Sequence, residues 1–120
     1  MTRDGDSGPA VSERAMLAVL AAQAIAVTDG VTATSGPAER WQTTSAAGTV
    51  AGVLAVADGR GRVELELHLA ARWPPSMPLR QIAEQLRERL RRSAAIAGMS
   101  DRLGDVSVAF DDVLTEAVSG

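Results

Sequence analysis

Few side chains in this sequence could do chemistry, and three of them share one short stretch. Glu64, Glu66 and His68 alternate along residues 62–73, so in a strand they point to one face. Carboxylate and imidazole groups can bind metals, but alternate strand residues lie about 7 Å apart, too far for one ion to be held from the strand alone. We therefore expect no metal and interpret this face as solvated or covered by a partner.

The composition removes several classes of enzyme. The chain of 120 residues has no Cys, and His68 is its only His. There is thus no thiolate for a disulfide, an iron–sulphur cluster or nucleophilic catalysis, and no basis for a His-dependent triad. No glycine-rich segment is followed by the helix that a phosphate-binding loop requires. We expect no catalytic residues and no cofactor, and predict that the protein is not an enzyme.

A second candidate surface is the arginine stripe of Arg80, Arg87 and Arg91. Residues 78–102 hold six Arg and three acidic residues, a net charge of +3, whereas the rest of the chain carries −6. Such a stripe could bind RNA, anionic lipid or an acidic protein. The total charge of −3 and the presence of only two Trp and one Phe argue against nucleic acid. We expect no DNA binding and favour salt bridges along the helix, with Glu84 and Glu88 as partners.

Hydrophobic periodicity and turn residues predict one α+β domain at residues 12–113, flanked by a flexible tail at 1–11 and another tail at 114–120. The sheet is expected to have three or four mainly antiparallel strands and to be backed by two helices, in the order α-(β)-β-β-α-β. The predicted elements are a helix at 12–27, a short strand at 31–35, a hairpin of 49–57 with 62–73, a helix at 76–98 and a strand at 104–113.

Local signals refine these elements. Ser12 and Ser76 are the expected N-caps of the two helices, and Gly98 is the expected stop of the second. In the long strand the expected core residues are Val63, Leu65, Leu67 and Leu69, whereas Glu64, Glu66, His68 and Arg72 are expected on an open face.

The first helix is apolar on nearly every side. Met16, Val19, Leu20 and Val27 are candidates for one face, and Ala residues with Ile25 make the other sides apolar too. Such a helix needs neighbours on more than one side. Together with the open sheet face, this predicts a homo-oligomer.

No targeting or membrane segment is evident. The first nine residues lack a basic n-region, and the apolar run at 15–27 is too short to span a bilayer. We expect a cytoplasmic protein. Because Arg is the only basic residue besides His, and Ala, Val and Gly are abundant, the composition indicates a high-GC bacterium such as an actinobacterium.

The order of elements and four segments resemble the alkaline shock family, the envelope stress response proteins of Gram-positive bacteria. The segments are Asp29–Val31, Val63–Leu69, Leu79–Leu86 and Asp105–Val113, and the resemblance covers residues 12–113. It implies a cytosolic, non-enzymatic protein of cell-envelope homeostasis, which in some members is held near the membrane by a separate integral membrane protein. Where the family usually has an aromatic–Gly pair, this chain has Trp73-Pro74-Pro75.

Similar element orders occur in iron–sulphur scaffolds and in KH domains, which bind RNA. The scaffolds need Cys, which is absent, and a KH clamp needs a GxxG loop between helices. The only such spacing, Gly5 to Gly8, lies near the start of the chain. The sequence therefore favours a protein-interaction or self-assembly module, with an RNA or lipid binder as the alternative.

Overall fold

The computed structural model describes the backbone of residues 4–45 and 48–115 and the side chains of residues 13–45 and 48–114. Within these residues, two α-helices and six strands make an α+β fold, as expected. In chain order they are α1 (Asp4–Ala26), β1 (Val31–Ala33), β2 (Gln42–Ser45), β3 (Gly48–Ala51), β4 (Val53–Ala57), β5 (Val63–Trp73), α2 (Leu79–Ile96) and β6 (Leu103–Thr115). Single 3₁₀ turns stand at Pro37–Glu39 and Ser100–Arg102.

The long strand β5 organises the main sheet of four strands. Along one edge it pairs antiparallel with β4, from Val63 to Leu67, and then with β1, from Leu69 to Ala71. Along its other edge it pairs with β6 in parallel, and α2 lies in the crossover connection that a parallel pair requires. The sheet is thus mainly antiparallel, and the predicted hairpin of β4 and β5 is confirmed.

The segment 49–57, expected as one strand, is broken at Gly52. Gly52 has a φ of 77°, and a Cβ there would lie 2.6 Å from the Cβ of Ala33. The chain turns at this point, so β3 instead pairs antiparallel with β2 in a separate small hairpin. The buried Thr43 fastens this hairpin to β4, because its hydroxyl donates to the carbonyl of Val53 at 2.6 Å and accepts from the N–H of Ala55 at 3.0 Å.

Both helices pack on one face of the main sheet. The expected core residues of β5 are all buried: Val63, Leu65, Leu67 and Leu69. From α2, the core takes Leu86, Leu90 and Ala94. In α1 the buried residues are instead Leu17, Ala18, Ala21, Ala24 and Ile25. Met16, Val19 and Val27 are exposed, because the small Ala side chains let the helix approach the sheet along the other side.

The helix starts differ from the sequence-based expectation. Ser12 is inside α1, which begins at Asp4, since extending an existing helix costs less than starting one. Ser76 is not the N-cap of α2. Pro78 occupies that position, and its carbonyl accepts from the N–H groups of Gln81 and Ile82. The stop is as expected: Gly98 has a φ of 74° directly after the C-cap.

The last strand is longer than predicted, since β6 runs through residue 115. Of the expected C-terminal tail, residues 116–120 lie outside the described part of the chain, as do residues 1–3 of the expected N-terminal tail.

Candidate interaction surface

The face of the main sheet that points away from the helices carries the first group of candidate residues. Cross-strand pairing places Val56 beside Glu64, and Leu54 beside Glu66, which in turn lies beside Ser107. Glu64, Glu66 and Arg72 are exposed, as predicted. Val56 is also exposed, at 58%. The sequence therefore folds into a face with an apolar row on β4 next to an acidic row on β5.

A shallow groove follows this face. Its volume is about 130 Å³, and it is lined by Leu54, Val56, Glu64, Leu65, Glu66, Asp105 and Ser107. We call it the sheet groove. Three carboxylates and the side chains of Leu54 and Val56 make it suitable for an apolar group accompanied by positive charge.

His68 does not lie open on this face, contrary to the prediction, for it is only 7% exposed. The indole ring of Trp41 stacks on its imidazole with 4.1 Å between ring centroids and 6° between the planes. The imidazole Nε2 lies 2.8 Å from Oε1 of Glu66, and Nδ1 lies 2.6 Å from Oδ2 of Asp111. The indole of Trp41, from the loop before β2, therefore covers the open sheet face at His68.

The cluster of Trp41, Glu66, His68 and Asp111 joins side chains from three separate parts of the chain. Each ring nitrogen of His68 lies within hydrogen-bond distance of one carboxylate oxygen, from Glu66 on the same strand and from Asp111 on β6. Both ring nitrogens are thus engaged by side chains of the fold. Among the described residues, no group of three His, Cys, Asp or Glu side chains is placed to hold a metal ion. The cluster ties β5, β6 and the loop together.

Sequence reasoning missed the partners of His68. Asp111 could be placed on the polar side of the last strand, but alternation says nothing about which strand lies alongside. Trp41 stands outside the predicted elements. Its role depends on Gly36, where a Cβ would overlap the indole ring.

The arginine stripe is only partly available for binding. Arg87 is partly buried, and its Nε donates to the carbonyl of Val106 at 3.0 Å. Arg80 and Arg91 are exposed, with no partner among the described residues. Of the expected salt bridges, the structure shows Arg92 with Glu88, at 3.4 Å. Arg89 also has a structural role, since it donates to the carbonyl of Val27 at 2.8 Å.

A polar cleft of about 340 Å³ lies at the end of the sheet, where β4 turns into β5. Its residue Asp58 accepts from the backbone N–H of Arg60 at 2.7 Å and from that of Arg62 at 3.1 Å. The N–H of Arg60 is the main cause that lowers the pKa of Asp58 below its ordinary value. This carboxylate therefore fixes the turn between β4 and β5.

The outer edge of β6 completes the surface. β6 pairs only with β5 among the strands that the structure describes, so its second row of backbone N–H and C=O groups has no strand partner. Val113 and Leu114 near its end are 52% and 46% exposed. An unpaired edge strand can pair with another chain.

Neither described helix has the length and apolar character needed to cross a membrane. In comparisons with known proteins, the chain matches no family model, no curated protein and no solved structure.

Proposed function

We propose that this chain is a non-enzymatic protein-interaction and self-assembly module that contacts proteins through the open face of its main sheet. A role in cell-envelope homeostasis, with an integral membrane protein among its partners, is proposed on the resemblance of its sequence pattern to the alkaline shock family.

One observation carries the interaction proposal. The helices cover one face of the sheet, whereas the other face keeps an exposed Val56 beside the exposed Glu64 and Glu66. Exposed apolar groups next to charges of one sign are suited to a partner that is both apolar and oppositely charged. The buried His68 cluster supports a stable contact surface, because it holds β5 and β6 in fixed positions beside the groove.

Photo-crosslinking in cells of the source organism tests this proposal. A photo-reactive amino acid placed at position 64 should give protein adducts, since that residue lies in the sheet groove. The same amino acid at position 101 is the matched control, because Asp101 is exposed and lines no part of the groove. Adducts at 64 and not at 101 are expected, and equal labelling at both positions would contradict a specific surface.

The identity of the adducts tests the envelope role separately. An integral membrane protein among the partners captured at position 64 is the expected result. Capture of soluble proteins alone would contradict the envelope role while leaving the interaction surface in place.

The alternative function, binding of RNA or anionic lipid through the arginine stripe, has support from Arg80 and Arg91, which are exposed and unpaired among the described residues. It is weakened by Arg87 and Arg89, whose guanidinium groups are engaged by backbone carbonyls. Retention on RNA or anionic vesicles that is lost in Arg80→Ala/Arg91→Ala would favour this alternative.

A further inference from the structure

We propose that the chain assembles head to tail, with the helical side of one copy seated on the open sheet face of the next. This inference rests on the proposed function and specifies its partner as a second copy of the same chain. It is carried by complementary charge and apolar groups on two opposite sides of the molecule.

The helical side has its own groove, of about 380 Å³, between α1 and α2. It is lined by Gln23, Ala24, Val27, Arg89, Arg92, Ser93 and Ile96. We call it the helix groove. Ile96 is 83% exposed and Val27 is 63% exposed, so apolar surface stands here beside two arginines.

The arginines and the isoleucine lie on one stripe of α2. Arg89, Arg92 and Ile96 are separated by three and four residues, which places them along the same side of a helix. The Arg92 side chain is 65% exposed, although it contacts Glu88. The stripe thus presents one protruding apolar group, Ile96, one turn after the exposed guanidinium of Arg92, whereas Arg89 is held by the carbonyl of Val27.

The sheet groove offers the matching arrangement. Leu54 and Val56 supply apolar contact, and Glu64, Glu66 and Asp105 supply negative charge. The two sides have opposite sign and both mix charge with apolar groups. Electrostatic complementarity of this kind directs the encounter and fixes its register.

The position of the two grooves determines the symmetry. The helices cover one face of the sheet and the sheet groove lies on the other, so a single molecule carries the two halves of the contact on opposite sides. A contact between different surfaces is heterologous and continues into rings or open filaments, unlike a two-fold dimer. Assembly should weaken as salt screens exposed charges.

Two variants separate the halves of the contact. Val56→Ser/Glu64→Arg alters the sheet groove and leaves the helix groove intact, and Arg92→Glu/Ile96→Ser does the reverse. All four residues are exposed, so both variants should keep the far-ultraviolet circular dichroism and cooperative unfolding of the wild type. The control Asp101→Arg changes charge by the same amount as Glu64→Arg and lines neither groove.

Light scattering of the purified full chain then gives a direct result. The wild type and Asp101→Arg should form species larger than two copies, and each double variant alone should stay at the monomer mass of 12.5 kDa. An equimolar mixture of the two variants should restore particles of two or more copies. In that pair, the intact helix groove of one variant meets the intact sheet groove of the other.

Other outcomes would overturn the inference in distinguishable ways. A mixture that stays monomeric while the wild type assembles contradicts head-to-tail contact but leaves self-association through another surface, such as the β6 edge. A wild type that is monomeric at every concentration contradicts both this inference and the self-assembly part of the proposed function. Monomeric wild type that binds phosphatidylglycerol vesicles or RNA through Arg92 and Ile96 would assign the helix groove to that ligand.

Discussion

At the scale of single residues, His68 is the clearest case of a polar group kept buried by specific partners. Burial of an imidazole without hydrogen bonds is costly, and here each ring nitrogen faces a carboxylate within 2.8 Å. The indole of Trp41 excludes water from one ring face. The result is a cross-link between strands that needs no disulfide, in a chain with no Cys.

Replacing Trp41 tests this cross-link. We expect Trp41→Ala to lower the free energy of unfolding by about 2 kcal/mol, because it removes the stacked ring and exposes His68. Trp73→Ala is the matched control, since Trp73 is 51% exposed and should cost less than about 1 kcal/mol. Urea unfolding of both variants gives the comparison. Equal losses would show that Trp41 has no special role in covering His68.

The lowered pKa of Asp58 leads us to expect that the folded protein loses stability at low pH. Its folded-state pKa is lowered, chiefly by the N–H of Arg60, so its stabilising contribution is present above its unfolded-state pKa of about 3.9. That contribution is lost as the pH falls below the folded-state pKa of Asp58, because the carboxylate is then protonated. We expect Asp58→Asn to have a lower Tm than the wild type at pH 6 and the same Tm at sufficiently low pH.

The control for this experiment is Asp101→Asn. The Asp101 side chain is exposed and makes no hydrogen bond or ion pair among the described residues, so its replacement should leave the Tm unchanged at pH 6. A Tm of Asp58→Asn equal to that of the wild type at pH 6 would contradict the role of this carboxylate in the turn.

Residue positions on one strand were predictable, but contacts between distant segments were not. Alternation correctly placed Val63 to Leu69 in the core and Glu64, Glu66 and Arg72 on the other face, since it follows directly from strand geometry. The prediction that His68 lies open on that face was wrong, because the loop residue Trp41 stacks on its imidazole and buries it. Arg87 is engaged for a similar reason, because its carbonyl partner belongs to another element.

At the scale of elements, Gly52 decides how the middle of the chain is divided. Its left-handed backbone and its closeness to Ala33 end β3 and redirect the chain into β4. Its N–H donates to the carbonyl of Trp41 at 2.6 Å, and its carbonyl accepts from the N–H of His68 at 2.8 Å. The break therefore positions both the small hairpin and the loop that carries Trp41.

Gly52→Ala should be more harmful than a glycine replacement without close neighbours. A side chain at a φ of 77° is strained, and its Cβ would also collide with Ala33, so we expect a loss of about 2 kcal/mol or more. Gly59→Ala is the control, because Gly59 has a similar φ of 81° and nothing within 4 Å of the added Cβ. Thermal unfolding measures both, and similar losses would contradict the proposed collision.

The elements with strong periodicity were predicted, and the hairpin of β2 and β3 was not. In α2, Ile82, Ala83, Leu86, Leu90 and Ala94 follow helical spacing and are all buried. By contrast, β2 consists of Gln42-Thr-Thr-Ser45 and has no apolar alternation. Its pairing depends on the hydroxyl of Thr43 and on the turn at Gly52, which are tertiary contacts rather than local preferences.

At the scale of the whole molecule, the fold turns the uneven charge of the sequence into two opposite faces. The excess of Arg in residues 78–102 is carried largely by the helical side, and Glu64, Glu66 and Asp105 line the open sheet face. The sequence predicted the charge imbalance and the open face. The pairing of each charge with exposed apolar groups, Ile96 on one side and Val56 on the other, became visible only in three dimensions.

The central claim, that the open sheet face is a contact surface for self-assembly, is tested most directly by the molar mass of the purified chain across a concentration series. The mass of the wild type should rise above the 12.5 kDa monomer with concentration and fall back in high salt. Val56→Ser/Glu64→Arg should remain monomeric under the same conditions. A wild type that stays monomeric throughout, or a variant that assembles as the wild type does, would contradict the account.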